Sequence, residues 1–292
     1  MNKIQSFIFI LSLANSIAAF ALQPDTLKIK QISSLPIIDG MATDSVWEKV
    51  SWIAIDQTWI PIDEKLAASD FSGRFKVLWS VTSNKLYFVA EITDDVFRDG
   101  YVYDKKDITY GDYDIFEIFI DPNHSGGLHV FDGKCDDATH KKCWGTNAEN
   151  AFTYHINVNA PADGQTTFKK TVEDISGKSW SSKYIRNYAD HLPQFAFRKT
   201  GNTYTYEFSL NVYKDSFDPK KPSEADRDSL FVNKIMGMSV AYCDSDTKIG
   251  KARRESFIGS TKADKTALDN TGGFNQTWMN ATYFGEVRLT KK

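Results

Sequence analysis

Thr203-Tyr204-Thr205-Tyr206-Glu207-Phe208-Ser209-Leu210 sets Tyr204, Tyr206, Phe208 and Leu210 on alternate positions, with Thr203, Thr205, Glu207 and Ser209 between them. Successive strand side chains leave opposite faces, so this period of two sends one face into a core and the other toward water. Phe75 to Val81 and Lys85 to Ile92 repeat the apolar, β-branched habit on either side of Thr82-Ser83-Asn84, the mark of a hairpin with a polar turn. Further strand-like runs follow at Tyr113 to Ile120, Phe152 to Val158, Gln194 to Lys199, Ile235 to Tyr242 and Tyr283 to Leu289. No helical period persists beyond a turn or two; Ala42 to Val50 is expected to form a short helix capped by Thr43 or Asp44, with Trp47 tucked inward. The pattern predicts an all-β fold, an antiparallel, jelly-roll-like β-sandwich. Long insertions between its strands are expected at 97–112, 121–150, 159–193 and 213–232.

Composition agrees with a folded globule rather than a polyanion binder. The 292 residues are 41% hydrophobic, 25% charged and 14% aromatic, enough apolar side chain for a sizeable core. Lys+Arg 35 against Asp+Glu 38 leaves a net charge of −3, without the basic surplus that draws chains to nucleic acid or anionic lipid. Lys3, the apolar run Phe7 to Leu13 and the small-x-small triplet Ala19-Phe20-Ala21 predict a secretory signal peptide over residues 1–21, followed by a single domain over 22–292. No cysteine stands at the cleavage point and no later stretch has the ~20 apolar residues of a membrane span, so the product is expected in the periplasm or the medium.

Cys135 and Cys143 sit close together in a polar loop, where an oxidising compartment favours a short disulfide. A metal site of Cys135, His140 and Cys143 with His129 is the alternative, although the spacing matches no familiar zinc pattern. Cys243 ends an apolar run and reads as a small buried side chain.

Several landmarks then fall in a recognisable order. Ile37-Ile38-Asp39-Gly40 precedes Asp44-x-x-Trp47, a Leu-Tyr-Phe-Val strand reaches Asp94-Asp95, and Asp114-Ile115-Phe116-Glu117-Ile118-Phe119-Ile120-Asp121 follows. Tyr206 to Leu210, Gly237 to Tyr242 with Asp244-Ser245-Asp246, and Trp278 before Tyr283-Phe284-Gly285 complete the series. The chain from about Ile37 to Leu289 resembles the family 9 carbohydrate-binding modules of secreted xylan- and cellulose-degrading systems. That resemblance implies a β-sandwich that holds plant-type polysaccharide or oligosaccharide between aromatic plates, with a polar rim and no catalysis.

The resemblance also suggests which residues would do so. Trp278 falls at the family's C-terminal stacking Trp, and Tyr110 is the nearest aromatic to the position of its partner plate. Glu117 matches the sugar-binding carboxylate, Asn275 a sugar-contacting Asn, and His155 stands where the family carries an Arg. A pyranose presents a C–H face and a rim of hydroxyls, so aromatic plates with carboxylate, amide and imidazole groups suit it. Strand parity places Glu117 on the face opposite Phe116, Ile118 and Ile120, which predicts that it is exposed. Each residue also has a plainer reading, Trp278 and Tyr110 as ordinary packing aromatics and the others as solvated strand or loop residues.

Acidic turns raise the question of structural calcium, which the resembled family contains. Asp244-x-Asp246, with Asp121-x-Asn123 and Asp94-Asp95, offers hard oxygen ligands, as does Asp136-Asp137. Two other function classes would draw on the same residues. A glycoside hydrolase would need a second carboxylate facing Glu117 across a sugar, with Glu207, Asp114 and Asp246 as candidates. A haem-carrying sandwich of DOMON type would need Met236 or Met238 with His155 or His129. A cell-surface protein partner docking on the insertions is a further possibility.

Overall fold

A computed structural model of the chain describes residues 26–101, 112–126, 151–170, 172–177, 185–186, 191–214, 216–217, 221–246, 254–262 and 280–292. Its strands are β1 (Leu27–Gln31), β2 (Ile53–Ile55), β3 (Gln57–Ile60), β4 (Phe71–Ser80), β5 (Lys85–Asp94), β6 (Ile115–Asp121), β7 (Phe152–Asn157) and β8 (Thr166–Thr167). They continue with β9 (Val172–Gly177), β10 (Ile185–Arg186), β11 (Gln194–Thr200), β12 (Thr203–Leu210), β13 (Ile235–Asp244), β14 (Ser256–Gly259) and β15 (Gly285–Thr290). The leader expected over residues 1–21 and the Cys135–Cys143 bridge lie outside the described residues.

All the strongly alternating runs are strands. β12 pairs with β5 from Thr203↔Thr93 to Leu210↔Leu86, and β5 pairs with β4 across the expected hairpin. The ladder order is β10-β9-β7-β6-β13-β15-β1-β4-β5-β12-β11-β8, with β14 and β3 branching from β13 and β2 from β4. This ribbon closes over itself, because one core takes side chains from both halves. Phe116 of β6 stacks on Tyr206 of β12 at 4.9 Å and meets Phe208 edge-on at 6.1 Å.

The two halves are joined by β1, which pairs in parallel with β15 on one side and with β4 on the other. The fold is therefore an antiparallel sandwich with one parallel seam, and that seam was not expected. Leu27-Lys28-Ile29-Lys30-Gln31 is short and carries two lysines, so its place depends on partners that are distant in sequence.

Ala42 to Val50 does not make the expected helix. Only a 3₁₀ turn forms over Trp47–Lys49, preceded by Val46 without a side-chain cap. Asp44 instead accepts the Ile37 N–H at 3.0 Å, holding the preceding loop. Trp47 is buried, as expected.

Candidate functional site

β6 sets the geometry of the site. Its even residues Phe116, Ile118 and Ile120 enter the shared core, while Ile115, Glu117 and Phe119 leave by the other face. The parity is as expected, but the predicted exposure of Glu117 is not met: the residue is 2% exposed. A second apolar layer covers this face, in which Ile115, Phe119, Ala241 and Cys243 pack with Trp59, Tyr113, Phe257 and Phe284. Trp59 of β3 meets Phe119 edge-on at 5.9 Å and Phe257 at 5.0 Å. It can lie there because residue 259 is glycine; a Cβ at that position would sit 2.1 Å from Trp59 Cζ2.

Within this wall lies a small polar group. Glu117 is directly opposite His155 of β7 and Ala241 of β13 in the ladders. Its Oε2 is 3.5 Å from His155 Nε2, and its Oε1 accepts the Cys243 thiol at 3.2 Å. Burial and the adjacent Glu117 charge push the Cys243 thiol well above its ordinary pKa, so it stays protonated and donates. Arg254 Nη1 donates to the same sulfur at 3.3 Å, and its guanidinium lies over the Phe257 ring at 4.4 Å. The structure thus brings two of the sequence-identified residues together, Glu117 and His155, and adds Cys243 and Arg254. Arg254 carries no local signal of this role, since it is set by the pairing of β14 with β13. Trp278, Tyr110 and Asn275 lie outside the described residues, as does His129.

The other interior-strand carboxylate, Glu207, has a different setting. It lies between Tyr206 and Phe208, both core residues, and so points out of the opposite layer. Its Oε2 accepts Gly40 N at 2.8 Å and Asp39 N at 3.1 Å, and its Oε1 accepts Trp47 Nε1 at 3.0 Å. Packed sheets are ~10 Å apart and both carboxylates face away from the shared core, so Glu207 does not oppose Glu117 across a sugar. A haem pairing with His155 fails on similar grounds, because Met236 and Met238 enter the core while His155 faces outward with Glu117.

A third polar feature sits at the end of the sandwich. Asp94, Asp114 and Asp244 gather with carboxylate oxygens within 4.8 Å of one another, and Asp70, Asp95 and Asp246 form an adjoining triad at the same spacing. Burial, followed by neighbouring carboxylates, raises Asp244 to about 8 and Asp246 to about 6, and lifts Asp114 well above the carboxylate range. Tyr242 donates to Asp94 at 2.8 Å and Ser256 to Asp244 at 3.1 Å. Arg98 directs its side chain to the backbone oxygens of Ser245 and Asp246. Asp246 Oδ1 and Ser245 Oγ are buried without a hydrogen-bond partner among the described residues. Hard carboxylate oxygens in this number fit a divalent cation such as calcium. Asp121 is not part of the group: it pairs with Gly237 at the other end of β13, about 23 Å of strand from Asp244, and accepts Gly126 N at 2.8 Å.

A cleft of about 1310 Å³, lined by Phe75, Met238, Lys262, Thr282, Tyr283 and Glu286 among others, opens elsewhere on the molecule. Neither Glu117 nor His155 lines it.

The sequence profile described as carbohydrate family 9 binding domain-like matches residues 38–292. The chain belongs to that family. Among solved structures, the family 9 module of Caldicellulosiruptor kristjanssonii in complex with cellotriose aligns at TM-score 0.53 and 18% identity, covering 91% of this chain and 94% of that one. The same module with glucose aligns at TM-score 0.52 and 18% identity, over 91% and 96%. A candidate carbohydrate-binding protein from Bacteroides uniformis aligns at TM-score 0.51 and 11% identity, over 90% and 98%. These likenesses show the sandwich fold. No curated protein matches the chain by sequence. The family 9 profile begins at Ile38, within the loop that Glu207 holds, and runs through every strand of the Glu117 face.

Proposed function

We propose that this family 9 protein is an exported, non-catalytic receptor for plant-type polysaccharide and its oligosaccharides, with Glu117 at the centre of the sugar site. The observation that carries the reading is the contrast between two equally buried carboxylates. Glu207 has three N–H donors at 2.8–3.1 Å, whereas Glu117 has a thiol at 3.2 Å and an imidazole nitrogen at 3.5 Å. A carboxylate offers about four acceptor positions and favours strong O–H or N–H donors, so Glu117 retains capacity that vicinal sugar hydroxyls would fill. In this reading His155 supplies a second polar contact, Trp278 and Tyr110 stack on the C–H faces of the ring, and Asn275 completes the rim. The family 9 modules solved in complex with cellotriose and glucose favour β-linked glucose units as the first ligands to try, with xylan fragments next.

The carboxylates around Asp94, Asp114 and Asp244 and around Asp70, Asp95 and Asp246 would hold structural calcium. The ion would supply the positive charge that relieves their mutual repulsion.

Calorimetric titration with glucose, cellotriose and xylotriose tests the binding claim, and a reducing-end assay on the corresponding polysaccharides tests the absence of catalysis. Binding by the wild type, its loss in Glu117→Gln and a flat reducing-end assay are expected. A protein that binds none of the three sugars, or that releases reducing ends in a Glu117-dependent way, overturns the reading.

A further inference from the structure

We propose that a lysine-rimmed hollow beside β1 is a second saccharide site, one that takes a uronic acid unit of an acidic polysaccharide. It lies away from the Glu117 face. Glu117 is opposite Ala241 of β13, whereas Lys28 and Arg288 share the row of Ile235, about 20 Å further along that strand, and Lys30 stands beyond them. The inference goes beyond the reading of Glu117 and does not depend on it.

β1 alternates, so Ile29 enters the core while Lys28 and Lys30 leave by the outer face, where Arg288 of β15 lies opposite Lys28 and Leu78 of β4 opposite Lys30. Past the strand, Ile32 donates its N–H to the Trp79 carbonyl at 2.8 Å and packs with Val46 and Leu78 in an apolar cluster outside the main core. These buried side chains floor a hollow of about 330 Å³, and the exposed Lys30, Lys49 and Lys292 form its rim. An adjoining hollow of about 280 Å³ shares Lys292 and adds Lys291. Four lysines thus line the pair and no carboxylate does, in a chain whose net charge is −3. Two of the ammonium groups are held in place: Lys30 Nζ donates to the Lys49 carbonyl at 3.0 Å, and Lys292 Nζ to Ser33 Oγ at 2.9 Å. An ammonium has three donors, so one internal bond leaves it able to serve a ligand as well. Gathered like charges repel, and a bound anion relieves that repulsion.

The lining defines the occupant. The lysines call for an anion, while Gln31, Ser33 and Ser34 offer amide and hydroxyl groups to a ligand's own hydroxyls. Ile32, Val46 and Leu78 offer an apolar surface to C–H groups. A hexuronate carries a carboxylate, a hydroxyl rim and a C–H face on one ring. Inorganic phosphate would leave the apolar floor unused, a neutral sugar would leave the lysines uncompensated, and a flat lipid surface would not enter a concave hollow. The next unit of an acidic polysaccharide would continue over Lys291 in the adjoining hollow.

The test is calorimetric titration of the protein with trigalacturonate, with cellotriose, inorganic phosphate and phosphatidylglycerol vesicles as comparisons. Trigalacturonate should bind the wild type, and more weakly as salt rises from about 50 to about 500 mM, because the contacts are charge pairs near the surface. Lys49→Gln with Lys292→Gln should bind it about tenfold more weakly, the loss of one charge-assisted contact. Lys49→Glu with Lys292→Glu should abolish binding; if that pair melts lower than the wild type, the glutamine pair carries the test. The glutamine pair should keep the wild-type melting temperature and the wild-type response to cellotriose, and Glu117→Gln should keep its affinity for trigalacturonate. A wild type that does not bind trigalacturonate, or a glutamine pair that binds it as tightly as the wild type, overturns the inference. So does phosphate that binds as tightly as trigalacturonate, the mark of an unselective anion patch. Lysine-dependent binding to the vesicles without binding of trigalacturonate identifies a membrane-facing surface and overturns it equally. Trigalacturonate binding by a protein that ignores glucose, cellotriose and xylotriose leaves this site standing and removes the Glu117 reading.

Discussion

Trp47 and Glu207 lie 160 residues apart and meet through an indole N–H···O bond of 3.0 Å inside the protein. The same carboxylate accepts the N–H groups of Asp39 and Gly40, so one side chain of β12 anchors the whole loop that leads into the 3₁₀ turn. Gly40 adopts φ +77°, and a Cβ there would crowd Thr166 and Arg198 at 3.1 and 3.2 Å. The conjunction of Asp39-Gly40, Trp47 and Glu207 is therefore a structural latch.

Breaking the latch should cost stability. Trp47→Phe removes one donor from a buried carboxylate and should destabilise the fold by about 1–3 kcal/mol. A urea unfolding midpoint that does not move would show the bond to be dispensable.

The acidic end of the sandwich should give an unusual pH profile in chelator. Asp244 and Asp246 have folded pKa values of about 8 and about 6, above those of an unfolded aspartate, so the folded state binds more protons across that window. Stability contributed by these protons is complete below about pH 4 and lost as pH rises through about 6 and 8. Thermal melts in EDTA should fall in temperature from pH 5 to pH 8. Calcium at a hundred times its dissociation constant should restore about 2.7 kcal/mol. Identical melts with EDTA and with calcium at pH 8 would count against a calcium site.

His191 should act in the opposite direction. It is buried, accepts or donates through Nδ1 to the Tyr154 hydroxyl at 2.9 Å, and stacks near Tyr213 and Phe217. Burial, then the charge of Lys170, lowers its pKa to about 3. The unfolded chain therefore binds the extra proton first, and stability is lost as pH falls from about 6.5 toward 3. The paired change Tyr154→Phe with His191→Phe should flatten this acid limb of the melting profile.

Gly259→Ala should destabilise strongly, because its methyl group would overlap the Trp59 indole. Overpacking of this kind costs about 1–3 kcal/mol, readable in denaturant unfolding. Trp59→Leu in the same chain should recover part of the loss.

Trp278→Ala should abolish cellotriose binding in calorimetry while leaving the melting temperature within about 3 °C of wild type, if the indole is a sugar plate. A loss of more than about 3 kcal/mol in unfolding would mark it as a core aromatic instead.

Much of this architecture is legible in the sequence. The alternation of Tyr204, Tyr206, Phe208 and Leu210 located β12 to the residue, and Phe75 to Ile92 located the β4–β5 hairpin. β1, β3 and β14 were not legible, since five or fewer residues carry too little periodicity and their pairings are with distant strands. At the site, parity gave the direction of Glu117 correctly and its solvent exposure wrongly. Direction is a local property of the strand, whereas exposure depends on which distant groups gather on that face, here His155 and Cys243 from neighbouring strands. The acidic turns were visible as separate pairs, and Asp70 and Asp114 joined them only in three dimensions.

Local order along the chain therefore determined the strands, the core-facing residues and the series of landmarks that marks the family, because backbone alternation and side-chain hydrophobicity act over a few residues. The tertiary structure alone decided that β1 seams the two layers in parallel, that Glu207 is saturated with donors while Glu117 is not, and that six aspartates share one end. Those outcomes depend on which distant groups come within hydrogen-bonding or Coulombic range, and range is a property of the folded chain.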